Sequence, residues 1–199
     1  MGSGSNATEA ANIPGDAARH PLQHKWVLWY DHPKLKSSTE TWEENLKHIM
    51  AFDTVEDFWS LFNNVMPPSM LSLQSNYSVF KEGIKPMWED AANRQGGKFV
   101  LTLKGEDLGH IDQWWLHAVL AAVGEALEAD GEPEVCGLVV SLRKGLHRIG
   151  LWTRTCEESR VVPTARRLKE ALKLPARLKF VFQTHEDAVS SLSSFQNAA

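Results

Sequence analysis

Eight tryptophans (Trp26, Trp29, Trp42, Trp59, Trp88, Trp114, Trp115 and Trp152) are the residues of this chain best suited to one specific chemistry, the stacking of a flat ligand on an indole face. Buried tryptophans mostly fill cores, so any single one of them is by default a packing residue. Charge is the second chemical signal. Residues 143–179 hold 11 of the 21 Lys/Arg and three acids, a net +8, whereas the rest of the chain has 10 bases and 22 acids, a net −12. Such asymmetry fits either a local anionic ligand or a solvated basic face. Other chemistries lack their motifs: the sequence has no zinc-spaced His/Cys cluster, no HExxH, no phosphate loop, no GxSxG and no dinucleotide fingerprint. Its eight histidines are scattered, and the acid-rich stretch Glu125–Glu134 lacks the clustered arginines and paired carboxylates that metal-assisted pyrophosphate cleavage needs. The chain therefore reads as a binding protein rather than an enzyme, with no metal and no cofactor expected.

The elements that must position these residues are legible from periodicity. With 199 residues, 43% hydrophobic and 23% charged, one soluble domain with a proper core is expected. Its expected limits are 20–187, between a disordered segment 1–19 and a flexible tail 188–199. No apolar run approaches the roughly 20 residues of a membrane span, and 1–19 lacks a signal-peptide core. Cys136 and Cys156 have no metal-type spacing, which fits a reduced, intracellular protein.

Strands are expected at Lys25–Tyr30, Lys98–Leu103, Val135–Arg143, Arg148–Thr153 and Lys179–Gln183, which are rich in β-branched and aromatic residues. Shorter candidates are Lys47–Phe52 and Tyr77–Phe80, and Lys144-Gly145 reads as a hairpin turn. A first helix is expected after Asp53-Thr54, with Asp53 and Glu56 as a capping box. A second is expected over Ile111–Glu128 behind an acidic cap at Asp107 or Asp112, and a third from Pro163 to Leu172. Strands interrupted by single helices favour an antiparallel sheet with helices on one face, an α+β domain. The second helix carries two apolar stripes. Ile111, Trp114, Trp115, Ala118, Ala122 and Ala126 suit a sheet, while Leu116, Leu120, Val123 and Leu127 face elsewhere. Either a neighbouring helix covers the second stripe, or a partner does.

Several strings carry a resemblance: HPLQ (His20–Gln23) followed by WVLWY, FDTVEDFW (Phe52–Trp59), YSVFKEGIKPMWED (Tyr77–Asp90), CGLVVSLR (Cys136–Arg143) and IGLWT (Ile149–Thr153). Together they resemble the eukaryotic translation initiation factor 4E family, in order, over about His20 to Glu186. The resemblance implies a curved antiparallel sheet of about eight strands backed by three helices. It also implies a protein that binds the 7-methylguanosine 5′ cap of mRNA in translation initiation, with further methylated caps as a second expected ligand; the alternative is a translational repressor or interaction module of the same family with weak or altered cap binding.

By the same resemblance, Trp42 and Trp88 sandwich the base. N7-methylation makes guanine a delocalised cation, which an indole face attracts. Glu89 would accept the N1–H and N2–H donors of guanine, Arg143 and Arg148 would hold the phosphates, and Trp152 would touch the N7-methyl group. A second face would take a helix with a tyrosine-and-leucine motif, from a scaffold of the initiation factor 4G type or a competing binding protein. The matching positions are His20, Pro21, Val55, Trp59, Leu116, Leu120, Gly124 and Glu125. His117 stands where an acid is usual on that face, and Ser141 replaces an Asn near the phosphates. The family implies a cytoplasmic location, with the nucleus as a second one, and no membrane partner.

Overall fold

The computed structural model of the chain describes residues 19–31, 45–128 and 133–186. Trp42, most of segment 1–19 and the tail 188–199 lie outside them. Seven strands form one sheet: β1 (Pro21–Asp31), β2 (Lys47–Thr54), β3 (Asn76–Lys81), β4 (Gly97–Leu103), β5 (Val135–Arg143), β6 (Leu146–Thr153) and β7 (Phe180–Thr184). Their spatial order is β2-β1-β3-β5-β6-β4-β7, and every neighbouring pair is antiparallel. Among the described residues three helices accompany them: α1 (Val55–Phe62), α2 (Ile111–Val123) and α3 (Glu158–Ala171). The α+β expectation stands, with seven described strands where about eight were expected.

Alternation decides which side each strand shows to the helices, because successive side chains leave a strand on opposite faces. Trp26 and Leu28 of β1, Tyr77 and Val79 of β3, Leu138, Val140 and Leu142 of β5, Ile149 and Leu151 of β6, and Phe99, Leu101 and Leu103 of β4 point one way. All are buried in one cluster with Phe58 and Leu61 of α1, Trp114, Trp115 and Ala118 of α2, and Val161 and Leu168 of α3. The opposite face carries Asp31, Asn76, Ser78, Val139, Ser141, Arg143, Arg148, Gly150, Trp152, Lys98, Val100 and Thr102. No described helix is long and apolar enough to cross a membrane.

Helix boundaries correct several expectations. The cap of α1 is Thr54, whose Oγ1 accepts the Asp57 N–H at 3.1 Å. Asp53 and Glu56 form no capping box; Glu56 instead accepts the N–H of His20, the residue before β1, at 3.0 Å. Helix α2 ends at Val123 rather than Glu128. Glu125 takes a left-handed backbone (φ 56°), and the Glu125 and Ala126 N–H groups close the turn on Ala122 and Ala121 carbonyls at 3.1 and 2.9 Å. Ala126 is consequently exposed, not part of the sheet-packing stripe. Neither Asp107 nor Asp112 caps α2. Asp107 holds Arg177 at 2.5 and 2.7 Å, which keeps its carboxyl below the usual range, and Asp112 takes the Ser69 N–H at 2.7 Å. Finally, α3 starts at Glu158, and Pro163 lies inside it rather than in its first turn. The bond Pro163 cannot donate is to the carbonyl of exposed Ser159, which water can satisfy.

The second stripe of α2 divides. Val123 and Leu127 are buried, at 5% and 1% exposure, whereas Leu116 and Leu120 stay half-buried. The basic segment 143–179 divides as well. Arg160 pairs with Glu134 at 3.1 Å, Arg177 with Asp107, and Arg167 donates to the Leu127 carbonyl at 3.3 Å. Those cations staple the fold, and the excess charge is not one patch.

Candidate functional site: a cavity on the helix-free face

Nineteen of the described residues line a cavity of about 840 Å³ on the face opposite the helices. Trp88, Glu89, Arg143, Arg148 and Trp152 are all among them. Five of the six expected ligand-binding residues thus share one hollow, and Trp42 lies outside the described residues. Strand register orders them. Trp152 on β6 pairs with Gly137 on β5 at one end, and Arg148 pairs with Ser141 at the other. Four residues of strand separate the two levels, roughly 13 Å. An aromatic end and a cationic end are therefore spaced as the base and phosphates of one nucleotide are.

The aromatic end is built on a close approach. Phe80 is fully buried and meets Trp152 edge-to-face at 5.5 Å. The Phe80 ring occupies the space where a Cβ on Gly137 would stand. Replacing Gly137 with alanine must displace Phe80 from under Trp152, with a loss of about 1–3 kcal/mol expected from overpacking. Urea denaturation measures that loss directly, and an unchanged midpoint would show that the ring moves freely.

Trp88 and Glu89 sit in the loop between β3 and β4, both exposed at the cavity rim. That loop holds its shape through two side chains. The Asp90 carboxylate accepts the Lys85 and Ala92 N–H groups at 3.0 and 2.9 Å, and fully buried Asn93 donates to the Lys85 and Met87 carbonyls at 2.8 and 2.7 Å. The loop closes where the Gly96 backbone presses on the Thr153 carbonyl, leaving no room for a Cβ. An exposed indole on a loop fixed in this way is presented, not mobile by default.

Arg143 is held in place at the cationic end, donating to the Leu142 carbonyl at 2.8 Å and to Asn76 Oδ1 at 3.0 Å. Burial and then the Arg148 charge lower its pKa. Two like charges facing one hollow favour an anion between them.

Lys98, Asn76 and Asp31 also line the cavity and were not singled out from sequence. Lys98 lies 5.8 Å over the Trp152 ring, and burial, then Arg148, lowers its pKa. Alternation in KFVLTL could have found it, since Lys98, Val100 and Thr102 leave the strand opposite Phe99, Leu101 and Leu103. Asn76 and Asp31 carried no such signal; polar residues at strand ends look like solvated ones.

His185 packs behind the cavity, 4.2 Å from Trp152, and is 2% exposed. Burial, reinforced by Lys98, depresses its pKa to about 4. In the unfolded chain the imidazole titrates near 6.5, so between about 4 and 6.5 the unfolded state binds more protons. Stability from this residue is thus complete above about pH 6.5 and declines as the pH falls toward 4. Histidine ring resonances should show one imidazole still neutral at pH 5; protonation of every ring near 6.5 would contradict this.

Several of the expected partner-binding residues meet near the start of β1. His20 hydrogen-bonds Glu56 at 2.7 Å, and its carbonyl accepts the Val55 N–H at 2.9 Å. This seats His20 and Pro21 beside the first turn of α1. Val55 and Trp59 lie one turn apart there, each 38% exposed. His24 on β1 approaches Glu125 at 4.0 Å, bringing the end of α2 alongside, with Gly124 exposed. Burial, with Glu128 adjacent, raises the Glu125 pKa to about 7. Leu116 lines a smaller hollow of about 370 Å³ with Phe62 and Val65 at the end of α1. Among these positions Val55 and Trp59 are the exposed apolar pair, while Leu116 and Leu120 stay half-buried on α2.

Comparison with known proteins agrees with this architecture. The family model described as eukaryotic initiation factor 4E matches residues 21–199. Eukaryotic translation initiation factor 4E of Candida albicans is 43% identical over 171 residues, covering 85% of this chain and 81% of its own length. The Homo sapiens protein of that name is 39% identical over 188 residues, covering 94% and 84%. Among solved structures, Caenorhabditis elegans eIF4E-3 in complex with the 4E-binding protein Mextli and cap analog superposes with a TM-score of 0.79 at 37% identity, covering 87% of this chain and 96% of that one. Ascaris suum eIF4E-3 with m2,2,7G cap gives 0.78 at 38% identity, covering 84% and 92%. By its sequence over nearly its whole length and by its fold, the chain belongs to the eukaryotic initiation factor 4E family.

Proposed function

We propose that this protein binds the 7-methylguanosine 5′ cap of mRNA in the cavity and recruits a scaffold or binding protein on the opposite, helix-bearing face during translation initiation. One observation carries the reading: a single hollow presents an indole, a carboxylate and two guanidinium groups in the order that base and phosphates require. The methylated base stacks on Trp88, with Trp42 supplying the other face. Glu89 accepts the two guanine N–H donors, a pair that adenine lacks. Trp152 meets the methyl group, and Arg143 and Arg148, with Lys98 nearby, hold the phosphates.

Residues 20–187 act as the cap-binding domain, and the protein binds its ligand without turning it over. It works in the cytoplasm, where initiation occurs. Two solved relatives support the assignment, since their structures hold cap analogs with and without a partner protein. The Ascaris relative was solved with both m7G and m2,2,7G caps, which favours tolerance of extra methylation at N2 here as well, Glu89 then accepting the N1–H alone.

Titration of intrinsic tryptophan fluorescence with 7-methyl-GTP and GTP tests the reading. Two partly desolvated cation–π contacts of about 2 kcal/mol each set a ceiling of roughly a thousandfold preference for the methylated nucleotide. Equal affinity for the two nucleotides would refute the stacking mode.

A further inference from the structure

Asp31, the last residue of β1, lines the cavity but has no place in the scheme above. Register puts it on the pocket face, paired with Asn76, which pairs in turn with Ser141, and Ser141 with Arg148. It therefore stands level with the phosphate-holding end and two strands to the side of Ser141, about 10 Å at the usual strand spacing. Asp31 is 5% exposed, yet only one of its carboxylate oxygens is used: Oδ2 accepts from Asn76 Nδ2 at 2.8 Å. Oδ1 is buried with no hydrogen-bond partner among the described residues. Burying a carboxylate oxygen with nothing to accept is costly, so a donor arriving with a ligand would relieve that cost.

The chemistry of that partner is narrow. A carboxylate only accepts, so the ligand must bring a donor. A phosphate is excluded by like charge, and the base is left to Glu89 and Trp152, the latter four residues of strand from the level that Asp31 shares with Arg148. Asn76 links Asp31 to Arg143 through Oδ1 at 3.0 Å, so the donor lies beside the phosphate chain. The donors next to the phosphates in capped RNA are sugar hydroxyls. We propose that Asp31 Oδ1 accepts a hydrogen bond from a ribose hydroxyl of the bound cap, making Asp31 a specificity-determining residue for sugar methylation. The hydroxyl belongs either to the 7-methylguanosine itself or to the first transcribed nucleotide.

This inference rests on the cap-binding reading, and two arms of one fluorescence experiment separate its failure from that of the reading. The first arm compares 7-methyl-GTP with its 2′,3′-di-O-methyl derivative; the second compares the dinucleotide m7GpppA with its form 2′-O-methylated on adenosine. Each pair is titrated into wild type, Asp31→Ala and Asp31→Asn. A hydrogen bond to a charged acceptor is worth roughly tenfold in affinity. Wild type is expected to lose about that factor on methylation in one arm, and that arm identifies the sugar. Asp31→Ala should bind both members of the pair equally, and Asp31→Asn, which keeps a neutral acceptor, should lose an intermediate factor. Disturbance of Arg143 through Asn76 would weaken both members alike and leave the ratio unchanged. The proposal is overturned if wild type is indifferent to methylation in both arms, or if Asp31→Ala retains the wild-type ratio. If 7-methyl-GTP itself does not bind wild type, the cap reading fails and takes this inference with it.

Discussion

Trp88→Ala is expected to lower affinity for 7-methyl-GTP by roughly thirtyfold or more while leaving the melting temperature nearly unchanged. The two halves of that expectation have separate physical origins. Trp88 is 38% exposed at the cavity rim, so removing its indole opens no core cavity. Its loop is fixed by Asp90 and Asn93, neither of which touches the indole through any hydrogen bond described above. A desolvated cation–π contact contributes about 2 kcal/mol, and 1.4 kcal/mol is a factor of ten. The loss should be much smaller for unmethylated GTP, which has no ring cation to lose contact with. A Trp88→Ala protein that discriminates the two nucleotides as wild type does would place the sandwich elsewhere.

Trp59→Ala should act on the other face in the opposite pattern. A peptide bearing the tyrosine-and-leucine helical motif is expected to bind it roughly thirtyfold more weakly, the loss of one aromatic hot spot of about 2 kcal/mol. Cap affinity should remain at the wild-type value. Trp59 contacts Phe58 edge-to-face at 5.0 Å but is 38% exposed, so it is the largest apolar surface that α1 leaves uncovered. Val55, one turn earlier, extends the same patch. Isothermal titration of the peptide, with and without saturating 7-methyl-GTP, measures both quantities. Unaltered peptide affinity would remove α1 from the partner surface.

The sheet was legible because its strands obey a simple alternation. KFVLTL and CGLVVSLR place large apolar residues on one side and small or polar ones on the other, and the hairpin at Lys144-Gly145 declares itself. Helix ends were less legible, for a local reason each time. In α2 the left-handed closing residue is Glu125 rather than a glycine, and in α3 a proline stands past the first turn. Within the site, composition could not separate Trp88 from seven other tryptophans; the PMWED string and its family did so. Asn93 and Asp31 stayed hidden because their roles depend on residues distant in sequence. Asn93 ties down the turn that presents Trp88, and Asp31 meets Arg143 only through Asn76, across two strands.

The strict division of the sheet into a core face and a cavity face also limits how such a gene can change length. β3, β5 and β6 each feed both faces, residue by residue. Losing one codon from the middle of β5, at Val139 for instance, would send Leu138 or Val140 into the cavity and turn Ser141 or Arg143 toward the helices. Both functions would fail together, along with the fold. Substitutions in these strands can alter one face and spare the other, whereas insertions and deletions are expected only in the connections. Divergence within this architecture should therefore proceed by residue exchange in the sheet and by length variation in the loops around it.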